Sequence, residues 1–276
     1  MAELNGIPKP VQAESNQVLI VDDAVAEQGI PRPVAWGTYK SDPNTHFYLC
    51  EFMDMIEELP DIRKFSAMLA KLHHNSMADI DAPKEFGFHV MTHEGSMYQD
   101  ISWCKTWEEM YACRFQSFID QERVSQGPSE ELEEILPEFI SKIIPRLLRP
   151  LGTHGRTIKP VALHADIWYG NLATNAATGE PVYFDPSVFW GHNECDVGIM
   201  ATPGYRLGRH WMREYHKFFP ISAPEEDYED RNLLYAHVST TENHSHWSFQ
   251  SMSVCPACTP LDMSFMESRR GQSIRG

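Results

Sequence analysis

The stretch Leu163–Asp196, "LHADIWYGNLATNAATGEPVYFDPSVFWGHNECD", sets three polar side chains at the ends of apolar runs. Asp166 and Asn171 follow "PVALHA", and Asp185 closes "PVYFDP". "TNAATGE" between them holds a Thr-Gly pair suited to a hairpin turn. "PVALHA" and "PVYFDP" are therefore expected to pair as two short strands. That pairing would bring Asp185 back beside Asn171, with Asp166 close by.

Such a set suits phosphoryl transfer from ATP. One carboxylate orients the attacking hydroxyl and accepts its proton, while a second carboxylate and an Asn oxygen hold Mg²⁺ on the phosphates. The Asp166-to-Asn171 spacing equals that of the protein-kinase catalytic loop, and Asp185 takes the place of the metal-binding Asp. Any one of the three could simply cap a turn; the combination points to chemistry.

The composition bounds the rest. A chain of 276 residues with 42% hydrophobic residues can bury a real core, in one large domain or two modest ones. A net charge of −16 speaks against nucleic acid, whose phosphates call for basic patches. No apolar run approaches the roughly 18 residues needed to cross a bilayer, so no membrane partner is expected. The opening "MAELNGIPKPVQAESNQ" resembles neither a signal nor a transit peptide. Six scattered cysteines read as reduced thiols rather than a disulfide framework. A cytoplasmic protein is the expectation.

Periodicity supplies the frame. Val18–Val21 is a short apolar run, and "IPRPVAWGTY" (Ile30–Tyr39) is an extended approach to a strand. "HFYLCEFM" (His46–Met53) has the apolar density of a buried strand. Ile62, Phe65, Met68, Leu69 and Leu72 fall at helical spacing. Thr106 and Glu109 form a capping-box pattern ahead of Trp107, Met110, Tyr111, Phe115 and Phe118. From Pro128 another stripe runs through Leu132, Leu136, Phe139 and Ile143 to Leu148, with Pro137 and Pro145 set to kink or divide it. These stripes read as core. Gly204–Tyr235 looks helical again, whereas the segment after Ala236 shows neither period.

At this point "HADIWYGN" followed by "VYFDPSVFWGHNECD" resembles the "HGDLWxGN … FDP…FYGHxExD" signature of the fructosamine (ketosamine) kinase family. That family is a branch of the aminoglycoside-phosphotransferase-like kinases. "PRPVAWGTYKSDPNTHFYLCEFMDM", "QGPSEELEE" and "YHKFFPISAPEEDYEDRNLLYA" resemble its fungal members, and the likeness runs from about Ile30 to Ala236. It implies an α+β, protein-kinase-like fold, with a partial N-lobe and hinge over residues 1–53 and a mostly helical C-lobe over 54–236; residues 237–276 read as an aperiodic tail. It also implies ATP-dependent phosphorylation of the sugar 3-hydroxyl of ketosamines, on small molecules or glycated proteins. On that likeness Asp166 is the base, and Asn171 and Asp185 hold Mg²⁺. The hinge is Leu49–Met53, where backbone groups of Glu51, Phe52 and Met53 would hold the adenine edge. Trp168 and Gly191–Asp196 would shape the acceptor side, and His164 would brace the loop.

The chain departs from the family pattern in three places. Residues 1–29 show no recognisable phosphate-covering loop, strand Lys or helix Glu; Lys9 lies in "IPKP", and Glu14 and Glu27 have no identifiable lysine partner. The family continues past Ala236 with a helix, where this chain carries the aperiodic tail. Ala165 stands where the family usually has Gly, harmless unless φ must be positive. Two readings therefore compete with an active ketosamine kinase: an impaired pseudokinase that acts by binding, and a kinase for another small alcohol of aminoglycoside or choline type. His244, His246, Cys255 and Cys258 offer a zinc-like set, but the CxxC stands alone in aperiodic sequence, so no metal besides Mg²⁺ is expected.

Overall fold

The computed structural model describes residues 29–236 apart from Ser96 and Pro203. Within them the chain opens on an antiparallel pair, β1 (Pro33–Tyr39) and β2 (Asp42–Cys50). The strand expected around His46 forms, but it is not buried. Among the described residues β2 pairs only with β1, and Phe47, Tyr48 and Leu49 stay exposed. Among the described residues this two-stranded ribbon has no second layer to cover it.

β3 (Met55–Ile56) leads into α1 (Ile62–Ala78), which starts where the Asp61 carboxylate accepts the Lys64 N–H at 2.9 Å. The α1 stripe buries Phe65, Leu69 and Leu72, with Phe65 edge-on to Trp211. A small hairpin follows, β4 (Thr92–Glu94) and β5 (Met97–Gln99). The box at Thr106 then opens α2 (Trp107–Gln126). Thr106 Oγ1 accepts the Glu109 N–H, and Glu109 Oε2 accepts the Thr106 N–H, both at 3.2 Å.

The proline-marked stripe folds as α3 (Glu130–Glu138), a π turn over Phe139–Ile143, and α4 (Ile144–Leu148). The helix is thus re-registered without being cut. The Ile144 N–H reaches back to Phe139 O, one residue farther than in an α-helix, directly before Pro145, which has no N–H to give. Phe139 stacks on Phe115 of α2.

The strand pairing around the opening stretch differs from expectation. β6 (Val161–Leu163) does not pair with the "PVYFDP" strand. It pairs antiparallel with β9 (Phe189–Gly191). The Thr-Gly turn does make a hairpin, but its arms are β7 (Leu172–Asn175) and β8 (Pro181–Tyr183), and β3 adds to the outside of β7. Close packing selects the β6 partner: a Cβ at Gly191 would meet Leu163 Cδ1 at 2.5 Å and the Trp107 ring at 2.8 Å. Only a glycine-ended strand lies that close.

α5 (Glu194–Gly198), α6 (Arg209–Tyr215) and α7 (Tyr228–Ala236) complete the described chain. Two apolar clusters form. One gathers α2, the π turn, α4, β6 and β9; the other gathers α1, β7, β8 and α6. Among the described residues no helix is long and apolar enough to cross a membrane. Val18–Val21, Lys9, Glu14, Glu27 and the His244–Cys258 set lie outside the described residues.

Candidate active site

The loop after β6 runs between the two cores. Ala165 packs in the first cluster and Ile167 in the second, leaving Asp166 between them at the loop's turn. Asp196, fully buried on α5, holds this loop from behind: Oδ2 accepts the His164 N–H at 2.9 Å and Oδ1 the Ala165 N–H at 2.7 Å. A line of polar contacts backs it up. Asn193 Nδ2 donates to Tyr215 Oη at 3.0 Å, Tyr215 Oη meets His73 Nδ1 at 2.7 Å, and His73 Nε2 meets Asp196 Oδ2 at 3.1 Å. Ala165 sits at φ +64°, the left-handed region where a side chain is strained.

His164 connects this loop to the chain before Asp185. Its Nδ1 accepts the Asp166 N–H at 3.2 Å, and its Nε2 donates to Phe184 O at 3.0 Å. Burial lowers its pKa, against the pull of Asp196 and of the Phe184 carbonyl. Both ring nitrogens are thus occupied with the backbone.

Asn171 reaches both Asp166 and the backbone of Asp185, through the β7–β8 hairpin rather than through β6. Asn171 closes a single 3₁₀ turn (Tyr169–Asn171), and its carbonyl accepts the Phe184 N–H at 3.2 Å. Its side-chain Nδ2 donates to Asp166 Oδ2 at 2.8 Å, to Asp166 O at 3.0 Å and to Asp185 O at 3.4 Å. Asp185 is exposed, at φ +56°, a conformation Asp tolerates better than most. The chain beyond it is clamped: Ser187 Oγ donates to His93 O at 2.6 Å, and Ser187 N–H to His164 O at 2.9 Å. With the Asn171 amide nitrogen engaged in the loop, its Oδ1 and the Asp185 carboxylate are the hard oxygens on offer. That donor chemistry fits Mg²⁺, which takes one or two such protein groups and keeps the rest for phosphates and water.

Glu51, Phe52 and Met53 follow β2, away from this cluster. The Glu51 N–H is already taken by Arg32 O at 2.8 Å, and Phe52 is 89% exposed. Asp54 O accepts the Ala176 N–H at 2.8 Å, and Met55 pairs with Asn175. The segment therefore lies at the far end of β7 from Asn171, roughly 13 Å along the strand.

Beside Asp166, Trp168 and Tyr169 face Tyr205 and Arg206. The Tyr169 N–H donates to Tyr205 O at 3.3 Å, and the Arg206 guanidinium lies 4.3 Å over the Tyr169 ring. The stretch Gly191–Asp196 does not line this face. It is buried throughout, because each of its polar groups serves the interior. His192 contacts Tyr235 and Ser222, Glu194 pairs with Arg231, and Asp196 anchors the loop. The sequence reading missed the roles of Asp196, His73 and Tyr215. The available signal was an acid inside the apolar run "ECDVGIM", where a carboxylate must find donors.

Comparison with known proteins follows the same lines. A family model described as fructosamine kinase matches residues 7–250. A chloroplastic protein-ribulosamine 3-kinase of Oryza sativa subsp. japonica is 26% identical over 213 residues, 76% of this chain and 57% of the relative. The ketosamine-3-kinase of Mus musculus is 34% identical over 152 residues, 55% of this chain and 45% of the relative. The chain thus spans about half the length of these curated relatives. A crystal structure from Haemophilus somnus 129PT, provisionally named a fructosamine-3-kinase, matches with a TM-score of 0.57 at 18% identity, over 85% of this chain and 74% of that one. A gentamicin complex of APH(2")-IIa matches with a TM-score of 0.50 at 13% identity, over 82% and 73%. These likenesses show an α+β fold of the protein-kinase-like, aminoglycoside-phosphotransferase type.

Proposed function

The chain belongs to the fructosamine kinase family, and from that premise we propose that it transfers the γ-phosphoryl group of ATP to the sugar 3-hydroxyl of a ketosamine. The acceptor is a fructosamine or ribulosamine, on a free amine or on a protein lysine. Asp166 is the residue that orients the hydroxyl and takes its proton. Asn171 and Asp185 are the groups that would hold Mg²⁺, which when bound neutralises charge on the phosphates. The backbone groups of Phe52 and Met53, with the Glu51 carbonyl, would meet the adenine edge. The described residues up to Met53 then belong to an N-lobe and hinge, and 54–236 to a C-lobe.

One observation carries the reading: a single side-chain nitrogen, Asn171 Nδ2, reaches both Asp166 Oδ2 and Asp185 O. That amide sets the base and the metal-side backbone at a fixed separation before any substrate arrives. Such preorganisation is where positioning contributes most to rate. The Asp196 anchor extends it, since it holds the backbone N–H groups of the two residues just before Asp166.

The test is ADP release with MgATP and the ketosamine of lysine. Asp166→Ala should lower turnover by at least about 100-fold, and Asn171→Ala should lower it while raising the Mg²⁺ requirement. ADP release that is indifferent to Asp166 would overturn the proposal. Turnover on an aminoglycoside or choline and not on the ketosamine would reassign the acceptor.

A further inference from the structure

Asp185 is exposed, and Pro186 after it has no N–H by which the chain could be held. Ser187 is therefore the first residue past Asp185 whose amide can be tied down. It is buried, and four contacts meet on it. Two are its N–H to His164 O and its hydroxyl to His93 O. The other two end on its carbonyl, which accepts Thr92 Oγ1 at 3.3 Å and Gln99 Nε2 at 3.4 Å. Those two donors are opposite one another in the β4–β5 hairpin, one on each strand.

Gln99 is fully buried, and its orientation is dictated from behind. Arg114 of α2 donates Nε to Gln99 Oε1, and Nη2 to Glu94 Oε2 at 2.9 Å. Glu94 and Arg114 are both buried, and the guanidinium lies 5.0 Å over the Phe118 ring and 5.2 Å over that of Phe189. A guanidinium donates and cannot accept, so only the Gln99 oxygen can face it. The amide nitrogen is thereby turned to Ser187 O and to Thr92 Oγ1, the latter 3.2 Å away. The charge-assisted bond on one side of the amide thus decides what the other side does.

We propose that Gln99 is a positioning residue for the Asp185 carboxylate, acting through Ser187 O, with Glu94 and Arg114 setting its amide. The proposal rests on the reading of Asp185 as a group that holds Mg²⁺. A carboxylate on an exposed turn loses freedom when it takes a metal, and fixing the backbone beforehand lowers that cost. Phe184 is held on the near side, by Asn171 O and by the His164 ring. Ser187 is the matching hold on the far side, and Gln99 brings the buried Arg114–Glu94 pair to bear on it. Gln99 itself is closed to water and meets the turn only through the backbone of Ser187.

The experiment compares the full chain with Gln99→Glu, Gln99→Met, Thr92→Val and Asp185→Ala. It reads the affinity for Mn²⁺ with ADP by water-proton relaxation, deuterium uptake over residues 184–190, and stability in urea. Glutamate keeps an oxygen for Arg114 but has no N–H for Ser187 O, so it separates positioning from packing. Gln99→Glu and Gln99→Met should each weaken Mn²⁺ binding by about tenfold or more, and speed exchange over 184–190. Thr92→Val leaves the Gln99–Arg114 contact in place and should act in the same direction by a smaller factor; it decides alone if neither Gln99 variant folds. Wild-type Mn²⁺ affinity in these variants, beside a loss in Asp185→Ala, overturns the proposal. So does a loss in Gln99→Met that is absent from Gln99→Glu. Wild-type affinity in Asp185→Ala as well removes the metal role of Asp185 itself, and this proposal with it.

Discussion

Asp196 accepts the backbone N–H of Ala165 at 2.7 Å, from a position thirty-one residues farther along the chain. The same carboxylate takes the His164 N–H and faces His73, all in a site closed to water. A carboxylate there has three partners, and a carboxamide could serve them only in part. Asp196→Asn should therefore destabilise the protein by about 3 kcal/mol, because it turns an N–H₂ toward backbone donors. The loosened loop should also lower kcat by about tenfold or more. Urea denaturation and ADP release on the same preparation would show both; full stability with full activity would contradict the anchor.

Ala165 offers the opposite experiment. Its φ of +64° strains any side chain, and glycine adopts that conformation freely. Ala165→Gly should raise stability by about 1 kcal/mol after the extra freedom of the unfolded chain is counted. Ala165→Val should lower it by more than that. Urea midpoints falling in the order Gly, Ala, Val are the expected result.

Arg231 and Glu194 are both fully buried and joined at 2.8 Å, with Arg231 also donating to Pro224 O and Ser222 O. Removing one partner strands the other charge in the interior. Arg231→Met or Glu194→Gln should each cost about 4 kcal/mol, and the double variant should recover a good part of that loss. A double-mutant cycle by denaturation that shows simple additivity would count against this pairing.

Stability should fall as the solution is acidified below about pH 6.5. Burial pushes the His192 ring down to about 4 from 6.5, against the attraction of Glu194. Between those values the unfolded chain binds a proton that the folded chain refuses, so unfolding gains as pH drops. His192 alone accounts for about 3 kcal/mol by pH 4. His164 and His216, both lowered chiefly by burial, add to the same trend. His192→Gln should flatten the decline between pH 6.5 and 4. An unchanged slope would remove His192 from the account.

The parts of the fold that were readable depended on neighbours a few residues apart. Thr106 and Glu109 announce α2 within one turn, and the Thr-Gly pair announces its hairpin. The β6–β9 pair was not readable, because three-residue strands far apart in the chain are matched by packing at Gly191. The contacts of Asn171 with Asp166 and with Asp185 were legible because the three residues lie close together in the chain. Asp196 was not, since Glu194 and Asp196 look alike in sequence while one pairs with Arg231 and the other with the loop. The exposure of β2 escaped for the converse reason: apolar content says a strand can be covered, and only the surrounding layers decide whether it is.

The β6–β9 pair also changes what the connection between Asn171 and Asp185 must do. Asn171 and Asp185 are joined covalently through the exposed turn Ala176–Gly179, yet β7 is held by β3 and β8, and β6 by β9. The turn is therefore a tether rather than a strut. Circular permutants with new ends between Thr178 and Gly179, or insertions placed there, should assemble the same arrangement of Asp166, Asn171 and Asp185.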